Sequence, residues 1–106
     1  MTEFTNESLS VDVAEDGTIV VRGDIDMAGG PVLEATILQR EDDRPVVIDL
    51  GGVQFMDSSG LRSLLDAARR AQSRGTTVVL RSVTAEVERL LEITGTAGQF
   101  GQDEPS

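Results

Sequence analysis

A buried strand that passes directly into an amphipathic helix is the feature that most restricts how this chain can fold. After Pro45 the run VVIDL (46–50) is apolar almost throughout, which is typical of a strand covered on both sides, and Gly51 and Gly52 interrupt it. A strand followed by a helix is the building unit of α/β folds. From about residue 59 to 74, apolar side chains recur at helical spacing, at Leu61, Leu64, Leu65, Ala68 and Ala71.

Weaker elements of the same two kinds lie on both sides of this unit. Residues 9–16 and 18–26 alternate apolar and polar side chains, so they predict two strands joined in a hairpin at Gly17. The full order, ββαβαβα, predicts the α/β class, with a single small mixed β-sheet and helices packed against it. The other elements are a helix opened by Gly29, Gly30 and Pro31, a buried strand at 76–80, and a helix from Thr84 to Gly95.

The two ends of the chain lack the apolar residues that a packed element needs. Residues 1–7 are polar, and the tail 98–106 (GQFGQDEPS) is acidic, with Phe100 as its one large apolar side chain. Such segments bury too little surface to offset the entropy lost on ordering them. We therefore expect a domain at 8–97 between a flexible N-terminus and a flexible acidic C-terminal tail. Truncation after Gly98 should then leave the melting temperature nearly unchanged.

The residue types that the chain lacks exclude several kinds of chemistry. It has no cysteine and no histidine, which removes disulfides, thiolate nucleophiles and imidazole bases or metal ligands. Nineteen acids against nine basic residues give a net charge of −10, which repels nucleic acid and favours basic protein partners. No apolar run is long enough to span a membrane, and the first ten residues do not form a signal peptide. We expect a cytoplasmic protein with no cofactor or metal, no nucleic-acid binding and no membrane insertion.

The motif Asp57-Ser58-Ser59-Gly60 stands where the strand passes into the helix, and it has three interpretations. Asp and Ser are favoured caps at helix N-termini, which by itself accounts for these residue types. A catalytic serine needs a base, and without His or Lys only a carboxylate could serve; the hydrolase motif G-x-S-x-G is also missing. The third interpretation makes a serine at this exposed corner the substrate of a protein kinase.

Other side chains near this motif each have a structural and a functional interpretation. Asp24 and Asp26 stand at a strand end before a helix, where aspartates are more often turn and cap residues than cation ligands. Met27 and Met56 could form an adaptable binding face, or they could pack in the core or a loop.

Arginines interrupt the acidic surface along the second helix. The pairs Arg62/Asp66 and Asp66/Arg70 are four residues apart and predict ion pairs worth roughly a few tenths of a kcal/mol each. A solvated helix face accounts for these residues. Arg62 stands next to the serines, so a partner contact is more expected there than at the other arginines, which are Arg69, Arg70 and Arg74.

Residues 44–95, from RPVVIDL through FMDSSGLRSLL to VTAEVERLLEITG, resemble a STAS domain of the bacterial anti-sigma factor antagonist family. The resemblance also includes GDIDMAGG at 23–30 and covers about residues 9–97 in all. Either D-S-S-G-L after an apolar strand or the later VTAEVERLLEITG is a weak signal by itself. Their combination is specific.

The resemblance implies a mechanism called partner switching. The unphosphorylated form binds an anti-sigma factor that is also a serine kinase, and a sigma factor is thereby released. The kinase uses ATP and magnesium to phosphorylate Ser58, with Ser59 as the second choice, and this breaks the complex until a serine phosphatase restores it. Asp57 would orient the acceptor loop and Gly60 would allow close backbone approach. Asp24 and Asp26 would lie near the partner surface of a non-enzymatic protein that is monomeric when free.

This chain also departs from the resemblance, and two other functions stay open. Members usually continue past the last TG with apolar residues and a further element, and they commonly have a small residue at the position of Arg62. One alternative is a STAS adaptor subunit of a membrane transport or lipid-trafficking complex, which has no need of an intact D-S-S-G motif. The other is a small hydrolase, which the absence of histidine argues against.

Overall fold

The computed structural model describes residues 3–5, 9–39 and 44–102 of the chain. The order of elements there confirms the predicted ββαβαβα arrangement and adds a short strand at each end. None of the described helices has both the length and the apolar content needed to cross a membrane. The elements are β1 (Glu3–Thr5), β2 (Leu9–Val13), β3 (Ile19–Ile25), α1 (Gly29–Leu38), β4 (Val46–Met56), α2 (Ser58–Ser73), β5 (Val78–Arg81), α3 (Ala85–Thr94), a 3-10 turn (Ala97–Gln99) and β6 (Gly101–Gln102).

The strands form one mixed sheet in the order β1-β2-β3-β4-β5-β6. The first three pair antiparallel, and β3 to β6 pair parallel. The predicted hairpin between β2 and β3 is confirmed: Ala14 N donates to Thr18 O at 2.8 Å across a turn in which Gly17 has a φ of +90°. Thr18 N also donates to Asp16 Oδ1 at 2.9 Å, and this hydrogen bonding holds the pKa of Asp16 below its usual value.

The core lies between one face of the sheet and the three helices. Each helix links two neighbouring parallel strands, and the connections from β3 to β6 all move across the sheet in the same direction. Because such crossover connections are almost always right-handed, the three helices lie on the same face of the sheet. Burial along β4 agrees, because Val46, Ile48 and Leu50 are buried while Val47 and Asp49 are partly exposed. The prediction that this strand is covered on both sides is therefore wrong.

The strand β4 continues through Gly51 and Gly52, where the sequence predicted an interruption. Its pairing with β3 shifts register twice, so it carries two bulges, the first of them at the glycines. A side chain at Gly52 would meet Arg22 Cγ at 2.8 Å, and Gly51 N donates to Asp49 Oδ1 at 2.9 Å. The glycines let β4 bend beside Arg22 without ending the strand.

Part of each end for which the sequence predicts flexibility forms a short strand at an edge of the sheet. β1 pairs with β2, and β6 pairs with β5. Phe100, just before β6, is buried and only 7% exposed. The sequence did not reveal these strands because segments of two or three residues have no periodicity of their own. The rest of the predicted ends, residues 1–2, 6–7 and 103–106, lies outside the described residues.

Phe100→Ala should destabilise the domain by about 3 kcal/mol, because it removes a buried ring and leaves a cavity. Phe55→Ala is the matched control, since Phe55 is 51% exposed and its loss should cost about 1 kcal/mol or less. Urea unfolding followed by circular dichroism measures both changes. An unchanged midpoint for Phe100→Ala would contradict a docked ring and restore the flexible tail that the sequence suggested.

Candidate functional site

Asp57 is the N-cap residue of α2 and fixes the geometry of the serine motif. Its backbone is extended, and its Oδ1 accepts a hydrogen bond from Gly60 N at 2.8 Å, which satisfies one of the free donors of the first turn. Leu61 N donates to Asp57 O at 3.0 Å and so closes the first helical hydrogen bond. The cap is therefore the aspartate. Ser58 and Ser59 occupy the first two positions of the helix, and their hydroxyls are not needed for capping.

The two serines differ in how accessible they are. Ser58 is exposed, and within the described part of the chain its hydroxyl makes no hydrogen bond. Ser59 is half-buried, and its carbonyl oxygen accepts a hydrogen bond from Ser63 Oγ at 3.3 Å. Gly30 of α1 also packs close by, since a Cβ built there would lie 3.7 Å from Ser59 O. A protein that approaches this corner therefore meets Ser58 first.

Gly60 is buried where the start of α2 passes the end of β3. A Cβ built on Gly60 would overlap the carbonyl oxygen of Ile25 and lie 2.6 Å from its carbonyl carbon. Asp57 N donates to the same carbonyl oxygen at 3.3 Å. Only glycine lets the helix start this close to the strand, so Gly60 sets the position of the serines relative to the sheet.

The two aspartates at the end of β3 are in different situations. Asp26 Oδ1 accepts hydrogen bonds from Ala28 N at 3.0 Å and from Gly29 N at 2.8 Å, so this side chain holds the turn that leads from β3 into α1, whose N-cap residue is Ala28. Asp24 is half-buried and lies opposite Phe55 in the strand register. In residues 3–5, 9–39 and 44–102 no three acids are grouped as metal ligands would be.

The ion pairs predicted on α2 are not the ones that form. Asp66 pairs with Arg69, whose Nη1 lies 3.2 Å from Asp66 Oδ1, and not with Arg62 or Arg70. Arg70 instead reaches across to α1, where its Nη2 lies 3.6 Å from Glu34 Oε1. The prediction of the pairs Arg62/Asp66 and Asp66/Arg70 is therefore wrong. Spacing along one helix cannot show that an acid of the neighbouring helix, here Glu34, lies within reach of Arg70. Arg62 is exposed and has no polar partner among the described residues.

Two large apolar side chains, Met27 and Phe55, are exposed near the serine motif. The sequence indicated only Met27 as a candidate for a binding face. Met27 is 77% exposed, whereas Met56 is buried in the core. Phe55 was missed. The second bulge leaves Gln54 unpaired against β3, so Met56 points towards the helices and Phe55 is 51% exposed. A bulge of one residue cannot be recognised from the alternation of apolar and polar residues in the sequence.

The surroundings of the Ser58 hydroxyl lack the features that activate a catalytic serine, within the described residues. Asp57, the carboxylate next to Ser58, accepts its hydrogen bond from Gly60 N and not from the serine hydroxyl. The chain has no histidine, and the described structure places no base on Ser58 Oγ. The site thus consists of an exposed hydroxyl on the capped first turn of α2.

Comparison with known proteins gives this fold and motif a family. A family model described as "Mlab, STAS domain" matches residues 10–100. The anti-sigma-B factor antagonist of Listeria monocytogenes is 34% identical over 94 residues, which cover 83% of this chain and 82% of the relative. The chain belongs to the STAS family of anti-sigma factor antagonists.

Solved STAS structures have the same fold. An anti-sigma factor antagonist from Mycobacterium paratuberculosis is 30% identical with a TM-score of 0.71, and the match covers 95% of this chain and 90% of the other. The antagonist SpoIIAA in its unphosphorylated form is 18% identical with a TM-score of 0.68, covering 92% and 89% of the two chains. The Bacillus SpoIIAA in the phosphorylated form is 17% identical with a TM-score of 0.64, covering 92% of each.

Gly60→Ala should destabilise this STAS domain by about 3 kcal/mol or more, because the added methyl group overlaps backbone that cannot move aside cheaply. Gly98→Ala is the matched control, since a Cβ there meets nothing within 4 Å. The unfolding midpoints in urea compare the two variants. If Gly60→Ala were as stable as Gly98→Ala, the start of α2 could not be pinned to β3 as described.

Proposed function

We propose that this STAS domain is an anti-sigma factor antagonist whose binding is switched by phosphorylation of Ser58. The observation that carries the proposal is the exposed Ser58 hydroxyl, which makes no hydrogen bond to a carboxylate or to any other group among the described residues. The relatives support the function by name, and SpoIIAA is described in both phosphorylated and unphosphorylated forms. The unphosphorylated domain binds an anti-sigma factor that is also a serine kinase, and a sigma factor is released.

The domain itself acts as a regulator and not as an enzyme. The kinase transfers a phosphoryl group from ATP to Ser58 Oγ, which breaks the complex, and a serine phosphatase removes the group again. Ser58 is the acceptor rather than Ser59 because it is the more exposed of the two. The sigma factor is part of the transcription machinery, so we place the protein in the cytoplasm.

The partner surface is the corner where the end of β3 meets the start of α2. Gly60 is buried, so its part in binding is to hold the neighbouring serines in position and not to touch the partner. The acids at this corner favour a basic partner surface. The residues that we assign to the surface are Asp24, Asp26, Asp57, Ser58, Ser59 and Arg62, with Gly60 in its supporting position beneath them.

The fold should tolerate a phosphate on Ser58. The first backbone N–H groups of a helix lack helical partners, and the helix dipole favours negative charge there. In this helix Gly60 N is already bonded to Asp57, while Ser58 stands on the exposed side of the turn. The added charge therefore acts on the surface of the domain and leaves the core contacts as they are.

The same phosphate should weaken binding. It adds about −1.5 to −2 charges at pH 7 next to Asp57, and a partner that covers it must remove its water. A hundredfold loss of affinity requires only about 2.7 kcal/mol. Charge, bulk and desolvation at a single exposed position are sufficient for a loss of that size.

Binding of the anti-sigma factor to three forms of the domain tests this proposal. We expect Ser58→Ala to bind like the unmodified protein, the phosphorylated protein to bind about a hundredfold more weakly or worse, and Ser58→Glu to lie between them. Isothermal titration with the purified anti-sigma factor of the source organism gives the three affinities.

Ser73→Glu is the matched control, because it places the same charge at the exposed far end of the same helix. It should bind like the unmodified protein. Equal affinities for the phosphorylated and unmodified forms would contradict switching at Ser58. Together with capture of a transport or lipid-trafficking ATPase from cells, that result would favour the adaptor alternative.

A further inference from the structure

Arg62 lies one helical turn from Ser58 and has no polar partner in the part of the chain that the structure describes. The acid expected to pair with it, Asp66, is bound to Arg69, and Arg70 is bound to Glu34. No other described residue makes a polar contact with the Arg62 guanidinium. Of the three arginines of α2, which are Arg62, Arg69 and Arg70, Arg62 is therefore the one whose charge is not balanced by an ion pair within the described residues.

The spacing places Arg62 on the same face of α2 as Ser58. Both residues are exposed, and residues four apart on a helix have Cβ atoms about 5–6 Å from each other. Helical side chains also lean towards the N-terminus, so the long side chain of Arg62 extends over the turn that begins with Ser58. The guanidinium can therefore reach a group attached to Ser58 Oγ.

We propose that Arg62 binds the phosphoryl group of phosphorylated Ser58 within the same chain. This inference rests on the proposed function, in which Ser58 is the acceptor. The planar guanidinium donates in a fork that matches two phosphate oxygens, which makes arginine the residue best suited to such a pair. The other charged residues at this corner are acids, namely Asp24 at the end of β3, Asp26 between β3 and α1, and Asp57 directly before Ser58.

When Arg62 pairs with the phosphate on Ser58, phosphorylation changes the partner surface in two ways at once. A negative charge is added at Ser58, and the positive charge of Arg62 is withdrawn from the partner to the phosphate. An anti-sigma factor that contacts Arg62 in the complex loses that contact at the same moment. Removal of the phosphate sets the guanidinium free again.

The titration of a phosphoserine installed at position 58 by genetic encoding tests the pair. A neighbouring cation favours the dianion, so the second pKa of the phosphate should be lower in the otherwise unmodified protein than in Arg62→Gln. We expect a difference of about half a pH unit, which corresponds to about 0.7 kcal/mol. ³¹P NMR measures this pKa directly, and the difference should shrink in 1 M NaCl because salt screens exposed charges.

Arg89→Gln is the matched control, because Arg89 is also an exposed helical arginine without a described polar partner but lies on α3. It should leave the phosphate pKa unchanged. The same pKa in Arg62→Gln as in the protein with Arg62 would overturn the proposal. Because the phosphoserine is installed without a kinase, this result does not depend on whether a kinase acts on Ser58. Failure of the anti-sigma factor to respond to phosphorylation would instead contradict the proposed function.

Discussion

The close contact between Gly60 and the Ile25 carbonyl is the constraint on which the functional end of this domain depends. It lets α2 begin directly against β3, with Asp57 N donating to that same carbonyl oxygen. Because the backbone is held there, Asp57 is placed to cap the helix and Ser58 is left on the outside. The exposure of the Ser58 hydroxyl is thus a consequence of how strand and helix pack, and the residues that create it are Ile25, Asp57 and Gly60.

This division separates the stability of the domain from its regulation. The core is built from one face of the sheet and the three helices, and the exposed Ser58 is not one of its members. The surface around Ser58 carries Asp24, Asp57 and Arg62, and Arg62 has no polar partner among the described residues. One added phosphate therefore changes the electrostatic potential of this surface strongly. Under the proposed function, the domain changes partners without a conformational change.

Much of the architecture could be predicted from the sequence because it is set by local patterns. The alternation in β2 and β3, the helical stripe of α2 and the cap residues Asp57 and Thr84 are all readable from neighbouring residues, and the structure contains each of them. The motif with Ser58 was also visible in the sequence. What it does in the cell stays a proposal, because residue types do not distinguish a helix cap from a modification site.

The features that could not be predicted all depend on residues far apart in the chain. The edge strand β6 is defined by its pairing with β5, and the bulges in β4 by the register of β3. Those bulges decide that Phe55 faces outward. The ion pair between Arg70 and Glu34 joins two helices, and it is this pair, with that of Arg69 and Asp66, that leaves Arg62 available. The contact proposed between Arg62 and the phosphate therefore depends on these two ion pairs, which the spacing of charges in the sequence did not predict.

The central claim is that phosphorylation changes the surface of the domain and not its fold. Amide ¹H–¹⁵N spectra of the unmodified protein and of the protein with phosphoserine at 58 test this most directly. The account predicts that the spectrum stays dispersed, that slowly exchanging amides of β3, β4 and β5 keep their protection, and that shifts are confined to the first turns of α2 and the end of β3. Shifts spread through the core strands, or a loss of dispersion, would show that the phosphate acts by rearranging the fold and would contradict the account.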